Sequence, residues 1–250
     1  MARPLGELPI VVLCGGLGTR LRSAVSDRPK ALAPIGERPF LELQIELLRD
    51  QGAKHFVLCV GHMAGHVRDY FGDGSAFGVT IEYSEEQDLR GTGGALKLAE
   101  RFFAPAAVVV NGDTYLDFDH NKLVRQHRAA RAGCNALATL TLARLPDAGR
   151  FGTVDVDATG MLVKGFREKA ATPAGTPGWL NAGAYVIERE LLDRVPGDTV
   201  VSLERDVFPT ALTDGVRLAA LGSDRPFYDI GTPDDFRAFA SRFAELRRAA

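Results

Sequence analysis

The chain has 250 residues, of which 46% are hydrophobic, so it can bury the core of one large domain or two small ones. Its formal net charge of −2 argues against a general binder of nucleic acid or membrane surfaces. Three cysteines without C-x-x-C spacing argue against a disulfide framework or a zinc site. We find no apolar run of 18 residues and no signal-peptide pattern, and therefore expect a cytoplasmic protein without nucleic-acid or membrane partners.

Strands and helices are predicted to alternate along the first half of the chain. Continuous apolar runs predict buried strands, and apolar residues at helical spacing predict amphipathic helices. The predicted strands are 10–14, 55–60, 79–83 and 107–111, and the predicted helices are 39–51, 64–71 and 92–103. This alternation is typical of a parallel sheet covered by helices.

The second half is predicted to be richer in strands. Its predicted strands are 136–141, 153–156, 162–167, 180–187 and 216–221, and its predicted helices are 121–131, 188–195, 202–212 and a last one that begins at Thr232. The turn at 157–160 predicts a hairpin. We expect a single α/β domain over 1–250 with a mixed sheet, in which the later strands form a lobe over the edge of the first half.

A glycine-rich loop follows the first strand. Gly15, Gly16 and Gly18 lie within four positions, and the cations Arg20 and Lys30 come after them. Glycines let the backbone approach a ligand closely, and cations complement phosphate. The loop is therefore either a nucleotide phosphate site or a flexible turn with solvated charges. Its spacing fits neither the dinucleotide fingerprint nor the P-loop.

Two acids lie where ligands bind in open α/β sheets, beyond the carboxyl ends of strands. Asp113 belongs to the cluster Asn111-Gly112-Asp113, which directly follows the buried run 107–110, and Asp229 precedes the last helix. Mg²⁺ usually takes one or two carboxylates and bridges substrate phosphates. The pair is therefore either a magnesium site or a turn cap and a surface acid. A third cation, Lys169, follows Glu168 at a strand end, where such a pair is usually solvated.

A series of short motifs resembles those of the sugar-1-phosphate nucleotidyltransferases and covers roughly residues 9–240. In chain order, the motifs are Gly15-Gly-Leu-Gly-Thr-Arg-Leu21, Arg28-Pro-Lys30, Gly91-Thr-Gly-Gly94, Asn111-Gly-Asp113, Glu168-Lys169, Asn181-Ala-Gly183, Ser202-Leu-Glu-Arg-Asp-Val-Phe-Pro209 and Asp229-Ile-Gly-Thr232. Within the family, the run over 28–34 resembles the guanylyltransferases of mannose 1-phosphate and heptose 1-phosphate. The runs over 111–115 and 227–233 look most like the heptose branch.

The resemblance implies a Rossmann-like nucleotidyltransferase fold, with a mostly parallel central sheet and helices on both faces. It also implies transfer from GTP to heptose 1-phosphate, with Mg²⁺ and release of pyrophosphate, in the synthesis of bacterial surface polysaccharide. By position, the implied nucleotide-binding residues are Leu13, Gly15, Gly16, Gly18, Thr19, Arg20, Lys30, Gly94 and Asp113. The implied sugar-phosphate residues are Gly152, Glu168, Lys169 and Asn181, and the implied metal ligands are Asp113 and Asp229. Of all these, the implied catalytic residues are Arg20, Lys30, Asp113 and Lys169.

One departure from the family pattern and several alternatives remain. Arg90 stands where close relatives usually have leucine, and we expect its side chain to point to solvent rather than to guanine. The substrates are alternatively mannose 1-phosphate with GTP, or N-acetylmuramate 1-phosphate with UTP. A regulatory relative that binds nucleotide sugars without turnover is a non-enzymatic alternative. A glycosyltransferase would use the spacing of Asp117-Phe-Asp119, and a homodimer is an open expectation.

Overall fold

The computed structural model describes residues 3–21, 28–148, 152–167, 175–197 and 199–249, without the side chains of Arg20 and residues 244–249. The strands are β1 (Ile10–Leu13), β2 (Pro34–Ile35), β3 (Arg38–Pro39), β4 (His55–Val60), β5 (Thr80–Glu85), β6 (Ala106–Asn111), β7 (Thr114–Leu116), β8 (Ala138–Leu145), β9 (Thr153–Val156), β10 (Val163–Arg167), β11 (Gly178–Glu188), β12 (Leu218–Ser223) and β13 (Phe227–Asp229). The helices are α1 (Phe40–Asp50), α2 (Ala64–Phe71), α3 (Gly91–Leu98), α4 (His120–Cys134), α5 (Arg189–Leu192), α6 (Phe208–Thr213) and α7 (Pro233–Ala249).

Seven strands form a central sheet in the order β12-β8-β11-β6-β1-β4-β5. Strand β11 runs antiparallel to β6 and β8, whereas the other neighbouring pairs are parallel. The predicted mixed, mostly parallel α/β sheet is thereby confirmed. The lobe expected from the later strands is wrong, because β8, β11 and β12 extend the same sheet beyond β6. Strand β8 is buried on both faces over its first six residues, which requires a place inside a covered sheet.

Helices cover both faces of this sheet. One hydrophobic cluster joins it to α1, α2 and α4, and a second joins it to α3, α5 and α6. A third cluster packs α7 against α1 through Phe239 and Phe40, whose ring centroids are 5.3 Å apart. Within the described ranges, no helix has both the length and the apolar character needed to cross a membrane.

Most predicted elements are present, and the differences matter for the site. The hairpin of β9 and β10 is confirmed as an antiparallel pair. The helix predicted over 188–195 is limited to Arg189–Leu192, and the one predicted over 202–212 begins with a π-helical turn, Leu203–Val207. Strands β7 and β13 were not predicted. They pair antiparallel with each other, outside the central sheet.

Candidate active site

The loop after β1 lies against the ends of two other strands. A Cβ on Gly15 would stand 2.8 Å from Glu86 Oε1 and 3.2 Å from the amide nitrogen of Gly61, so a side chain there would have to displace Glu86 and part of the Gly61 backbone. Gly112, just after β6, donates its N–H to the Leu13 carbonyl at 2.9 Å. A Cβ on Gly112 would stand 2.9 Å from that same carbonyl oxygen. These contacts bring the turn that carries Asp113 beside the glycine loop.

A cavity of about 500 Å³ opens at the carboxyl ends of β1, β4 and β6. This volume lies in the range typical of small-molecule sites, and the place is the one expected for a ligand of an open α/β sheet. The lining residues are Leu13, Cys14, Gly15, Gly16, Leu17, Gly18, Thr19, Lys30, Ala31, Cys59, Glu86, Leu89, Gly91, Thr92, Ala95, Asn111, Gly112, Asp113, Val200 and Gly231. Seven of the residues implied for nucleotide binding are among them.

A cation and a carboxylate are in contact at the wall of this cavity. Lys30 Nζ lies 2.8 Å from Asp113 Oδ2, and the two side chains are 13% and 37% exposed. Buried Gln44 of α1 fixes the turn of Asp113 by donating to the carbonyls of Asn111 and Thr114 at 2.9 and 3.0 Å. The side chain of Arg20 lies outside the described part of the chain. Of the two cations predicted to bind phosphate, the structure therefore shows the side chain of Lys30 at the cavity.

Pairing of β7 with β13 brings the two predicted metal ligands together. Asp229 pairs with Thr114, and the N–H of Ile230 donates to the Asp113 carbonyl at 2.9 Å. Asp229 Oδ1 accepts the Gly231 N–H at 2.6 Å. Among the described residues, no group of three or more His, Cys, Asp or Glu is arranged to hold a metal. Two carboxylates beside a phosphate-binding loop nevertheless fit Mg²⁺, which completes its shell with phosphate oxygens and water.

The glycines at the start of α3 serve the packing of another segment. Gly93 and Gly94 direct their N–H groups at the Val201 carbonyl, at 2.8 and 3.4 Å. Gly91 has φ +71°, and a Cβ there would stand 2.5 Å from the same oxygen. A Cβ on Gly94 would stand 2.5 Å from the Cβ of Arg90. The structure therefore places Gly94 in the packing of residues 199–201, whereas Gly91 reaches the cavity wall.

Arg90 is held by the protein, contrary to the expectation that its side chain points to solvent. Its Nη1 donates to the Gly197 carbonyl at 2.8 Å, and its own carbonyl accepts the Val201 N–H at 2.8 Å. Arg90 therefore helps to fasten the 197–201 segment to α3. It is not one of the residues that line the cavity.

Glu86 is a cavity residue that the sequence analysis missed. It is 8% exposed, and its Oε2 accepts the Arg90 N–H at 2.8 Å. Burial raises the pKa of this carboxyl, and the hydrogen bond from Arg90 opposes the rise. Glu86 directly follows β5, just as Asp113 lies in the turn directly after β6. The strand-end rule that found Asp113 would therefore also have found Glu86.

On the side of the predicted sugar-phosphate residues, Asn181 lies on β11 next to the end of β6. Its Nδ2 donates to the Tyr185 hydroxyl at 2.8 Å, and its Oδ1 accepts the Gly183 N–H at 3.1 Å. Gly183 has φ +69°, and a Cβ there would stand 2.8 Å from Asn111 Nδ2. This close approach sets Asn181 beside the Asn111–Asp113 turn.

The other predicted sugar-phosphate residues follow or face β10. Gly152 is exposed, and a Cβ there would stand 3.1 Å from the Arg167 carbonyl oxygen at the end of that strand. Glu168 and Lys169 come next in the chain and lie outside the described residues. Their predicted roles stay predictions.

Comparison with known proteins identifies the family of this site. The sequence model described as nucleotidyl transferase matches residues 10–245. The chain belongs to this family. It is 35% identical over 229 residues to a D-glycero-α-D-manno-heptose 1-phosphate guanylyltransferase of Campylobacter jejuni, covering 92% of this chain and 97% of that relative. It is 37% identical over 232 residues to a mannose-1-phosphate guanylyltransferase of Mycobacterium tuberculosis, covering 92% of this chain and 63% of that relative.

A solved structure shows the same fold as this nucleotidyl transferase. HddC from Yersinia pseudotuberculosis, complexed with GMP-PN, has a TM-score of 0.79 and 28% identity to the chain. The match covers 94% of this chain and 99% of that chain. The predicted membership of the family and the Rossmann-like nucleotidyltransferase fold are confirmed.

Proposed function

We propose that this nucleotidyl transferase transfers the guanylyl group of GTP to D-glycero-α-D-manno-heptose 1-phosphate, forming GDP-heptose and pyrophosphate. The observation that carries the proposal is the glycine-lined cavity at which Lys30 contacts Asp113, with Asp229 adjacent to Asp113 in the backbone pairing of β7 and β13. The Campylobacter jejuni relative, which has the corresponding name, supports the choice of substrates because this chain spans 97% of its length.

The attacking group is an oxygen of the sugar phosphate. By analogy with phosphoserine, its second pKa is about 6, so it is mostly a dianion at pH 7 and needs no general base. The bond that forms joins this oxygen to the α-phosphorus of GTP, and the bond that breaks releases pyrophosphate with its electron pair. The anionic sugar phosphate must therefore approach the α-phosphorus of the polyanionic GTP from the side opposite the departing pyrophosphate. The work of the protein is therefore positioning and charge neutralisation.

The residues divide between the two substrates. Backbone N–H groups of the loop over 15–19 and the ammonium of Lys30 face the triphosphate, where we also propose Arg20. Asn181 faces the sugar hydroxyls. We propose that Glu168 joins Asn181 there, that Lys169 binds the sugar phosphate, and that Gly152 leaves room for this phosphate.

We propose that Asp113 and Asp229 hold Mg²⁺ at the meeting point of the two substrates. When bound, the ion would act as a Lewis acid that offsets phosphate charge. Asp113 already contacts Lys30, so the same carboxylate aligns a cation with the triphosphate. The pairing of β7 with β13 brings the backbones of Asp113 and Asp229 next to each other.

Guanine selection is assigned to Glu86. The Watson–Crick edge of guanine presents two adjacent donors, N1–H and N2–H, and an ionised carboxylate is an acceptor that can pair with both. Uracil and thymine present one donor between two acceptors, which an ionised carboxylate repels. The N–H of Arg90 donates to Oε2 of Glu86, whereas Oε1 lies on the side of Gly15 and the cavity.

Pyrophosphate release tests the proposal directly. GTP, UTP and dTTP are each combined with heptose 1-phosphate, mannose 1-phosphate and N-acetylmuramate 1-phosphate, with and without Mg²⁺. We expect the highest kcat/KM for GTP with heptose 1-phosphate. A higher value for mannose 1-phosphate would replace the proposed sugar, and the absence of turnover with every pair would refute a catalytic function.

A further inference from the structure

A chain of hydrogen-bonded side chains connects the nucleotide cavity to Asn181. Thr92, which lines the cavity, donates to Glu204 Oε2 at 2.8 Å. Tyr185 donates to the other carboxylate oxygen, Oε1, at 3.2 Å, and accepts from Asn181 Nδ2 at 2.8 Å. Ser202 also donates to Oε2, at 3.1 Å. Glu204 therefore stands at the centre, with one oxygen serving each side.

The Glu204 carboxylate fixes the direction of these bonds toward Asn181, because both of its oxygens accept. An ionised carboxylate only accepts, so the Tyr185 hydroxyl must donate to it and turn its lone pairs toward the amide. The Asn181 amide then has a single orientation, with Nδ2 toward Tyr185 and Oδ1 toward the N–H of Gly183. Tyr185 is 0% exposed, and burial, followed by the charge of Glu204, raises its pKa well above the ordinary value. Its hydroxyl therefore stays a donor.

The other side of the carboxylate fixes the start of α3. Thr92 Oγ1 donates its proton to Glu204 and accepts the N–H of Leu203 at 2.7 Å. The neighbouring Val201 carbonyl accepts from Gly93. Glu204 thus secures the 201–203 segment on the helix that supplies part of the cavity wall.

We propose that Glu204 is a positioning residue that orients Asn181 through Tyr185 and the cavity wall through Thr92, and so aligns the two substrates. This rests on the proposed function, in which Asn181 faces the sugar. Glu204 need not contact either substrate, because its effect is transmitted through these two neighbours.

Three single variants separate the two sides. Tyr185→Phe keeps the buried ring but removes one acceptor from Asn181, so we expect KM for the sugar 1-phosphate to rise about tenfold while KM for GTP changes less than about twofold. Thr92→Val should show the reverse pattern. Glu204→Gln should raise both KM values. The amide oxygen can accept from only one of Thr92 and Tyr185, and the NH₂ group that faces the other hydroxyl is a donor, so both hydroxyls can no longer donate. Unchanged KM values in Glu204→Gln would overturn the proposal.

Two controls exclude a merely structural effect. Tyr83→Phe removes a hydroxyl that donates to the Gly72 carbonyl at 2.7 Å; neither residue lines the cavity, so the variant should leave both KM values unchanged. In an Asn181→Ala background, Tyr185→Phe should add no further rise in KM for the sugar phosphate. A fully additive effect would mean that Tyr185 does not act through Asn181.

Failure of the proposed function is recognised separately. If the unmodified protein turns over none of the substrate pairs, the proposed function has failed. Binding of GTP and of sugar 1-phosphate to the same variants, measured by calorimetry, then decides the role of Glu204. Equal affinities in Glu204→Gln and the unmodified protein would refute it.

Discussion

Substitution of Gly91 by alanine tests whether the glycines of α3 serve packing or nucleotide contact. A side chain at a left-handed residue costs about 1–2 kcal/mol. The added Cβ would also stand 2.5 Å from the Val201 carbonyl oxygen, so the segment must move. That movement breaks the hydrogen bond from the Gly93 N–H to the Val201 carbonyl oxygen, which contributes about 1 kcal/mol to stability. We therefore expect Gly91→Ala to lower the free energy of unfolding by about 2–3 kcal/mol.

Thermal unfolding measures this loss. For a chain of this size, each kcal/mol corresponds to about 2–4 °C in Tm, so a decrease of about 4–12 °C is expected. The matched control is Gly133→Ala, in the last turn of α4, where a Cβ meets nothing within 4 Å. The free energy of unfolding of Gly133→Ala should rise by about 0.5–1 kcal/mol, because alanine has fewer conformations than glycine in the unfolded chain. If Gly91→Ala kept the original Tm but lost GTP affinity, the packing argument would be wrong.

Four further predictions concern the site itself. Gly16→Ala should weaken GTP binding in calorimetry without changing Tm, because its Cβ meets no protein atom within 4 Å and the residue lines the cavity. Asp113→Ala should abolish Mg²⁺-dependent pyrophosphate release while circular dichroism stays unchanged, and near-normal activity would refute the metal assignment. Glu86→Gln should reduce the preference in kcat/KM for GTP over UTP by about 10- to 100-fold. Burial raises the pKa of Glu86, and acidification toward that pKa protonates the carboxylate. Lower pH should therefore weaken GTP binding in the unmodified protein but not in the variant. Lys169→Ala should raise KM for the sugar phosphate, and an effect confined to KM for GTP would contradict its proposed role.

Burial on both faces explains why the centre of the sheet could be predicted. Strands β4 and β6 are apolar at nearly every position, so their sequences predict covered strands without any alternation. The rule that ligands bind beyond the carboxyl ends of such strands then located Asp113. The same rule named Asp229 as a candidate, but it could not show that Asp229 lies beside Asp113. That proximity depends on β7 and β13, which have three residues each and are too short for a periodic pattern.

Glycines show a second limit of sequence reasoning. Gly16 and Gly91 both occur in short glycine motifs, and the motifs alone suggest nucleotide contact for either. The structure separates them, because a Cβ on Gly16 meets nothing whereas one on Gly91 meets the backbone of a distant segment. A glycine motif indicates positions at which a side chain is not tolerated. It does not indicate whether a ligand or another part of the protein would contact that side chain.

The direction of β11 explains why the sugar side was harder to place than the nucleotide side. Parallel strands present their carboxyl ends to the cavity, so their functional residues follow them in sequence. Strand β11 runs the other way, pairing Ala184 with Val110 of β6, so its amino-terminal part reaches the same edge of the sheet. Asn181 therefore lies within a strand rather than after one. A residue in that position needs neighbours to orient its amide. Tyr185, four residues later on the same strand, supplies one, and the register of β11 against β8 shifts between the two residues. The contact through which Glu204 is proposed to act therefore spans the irregular part of β11.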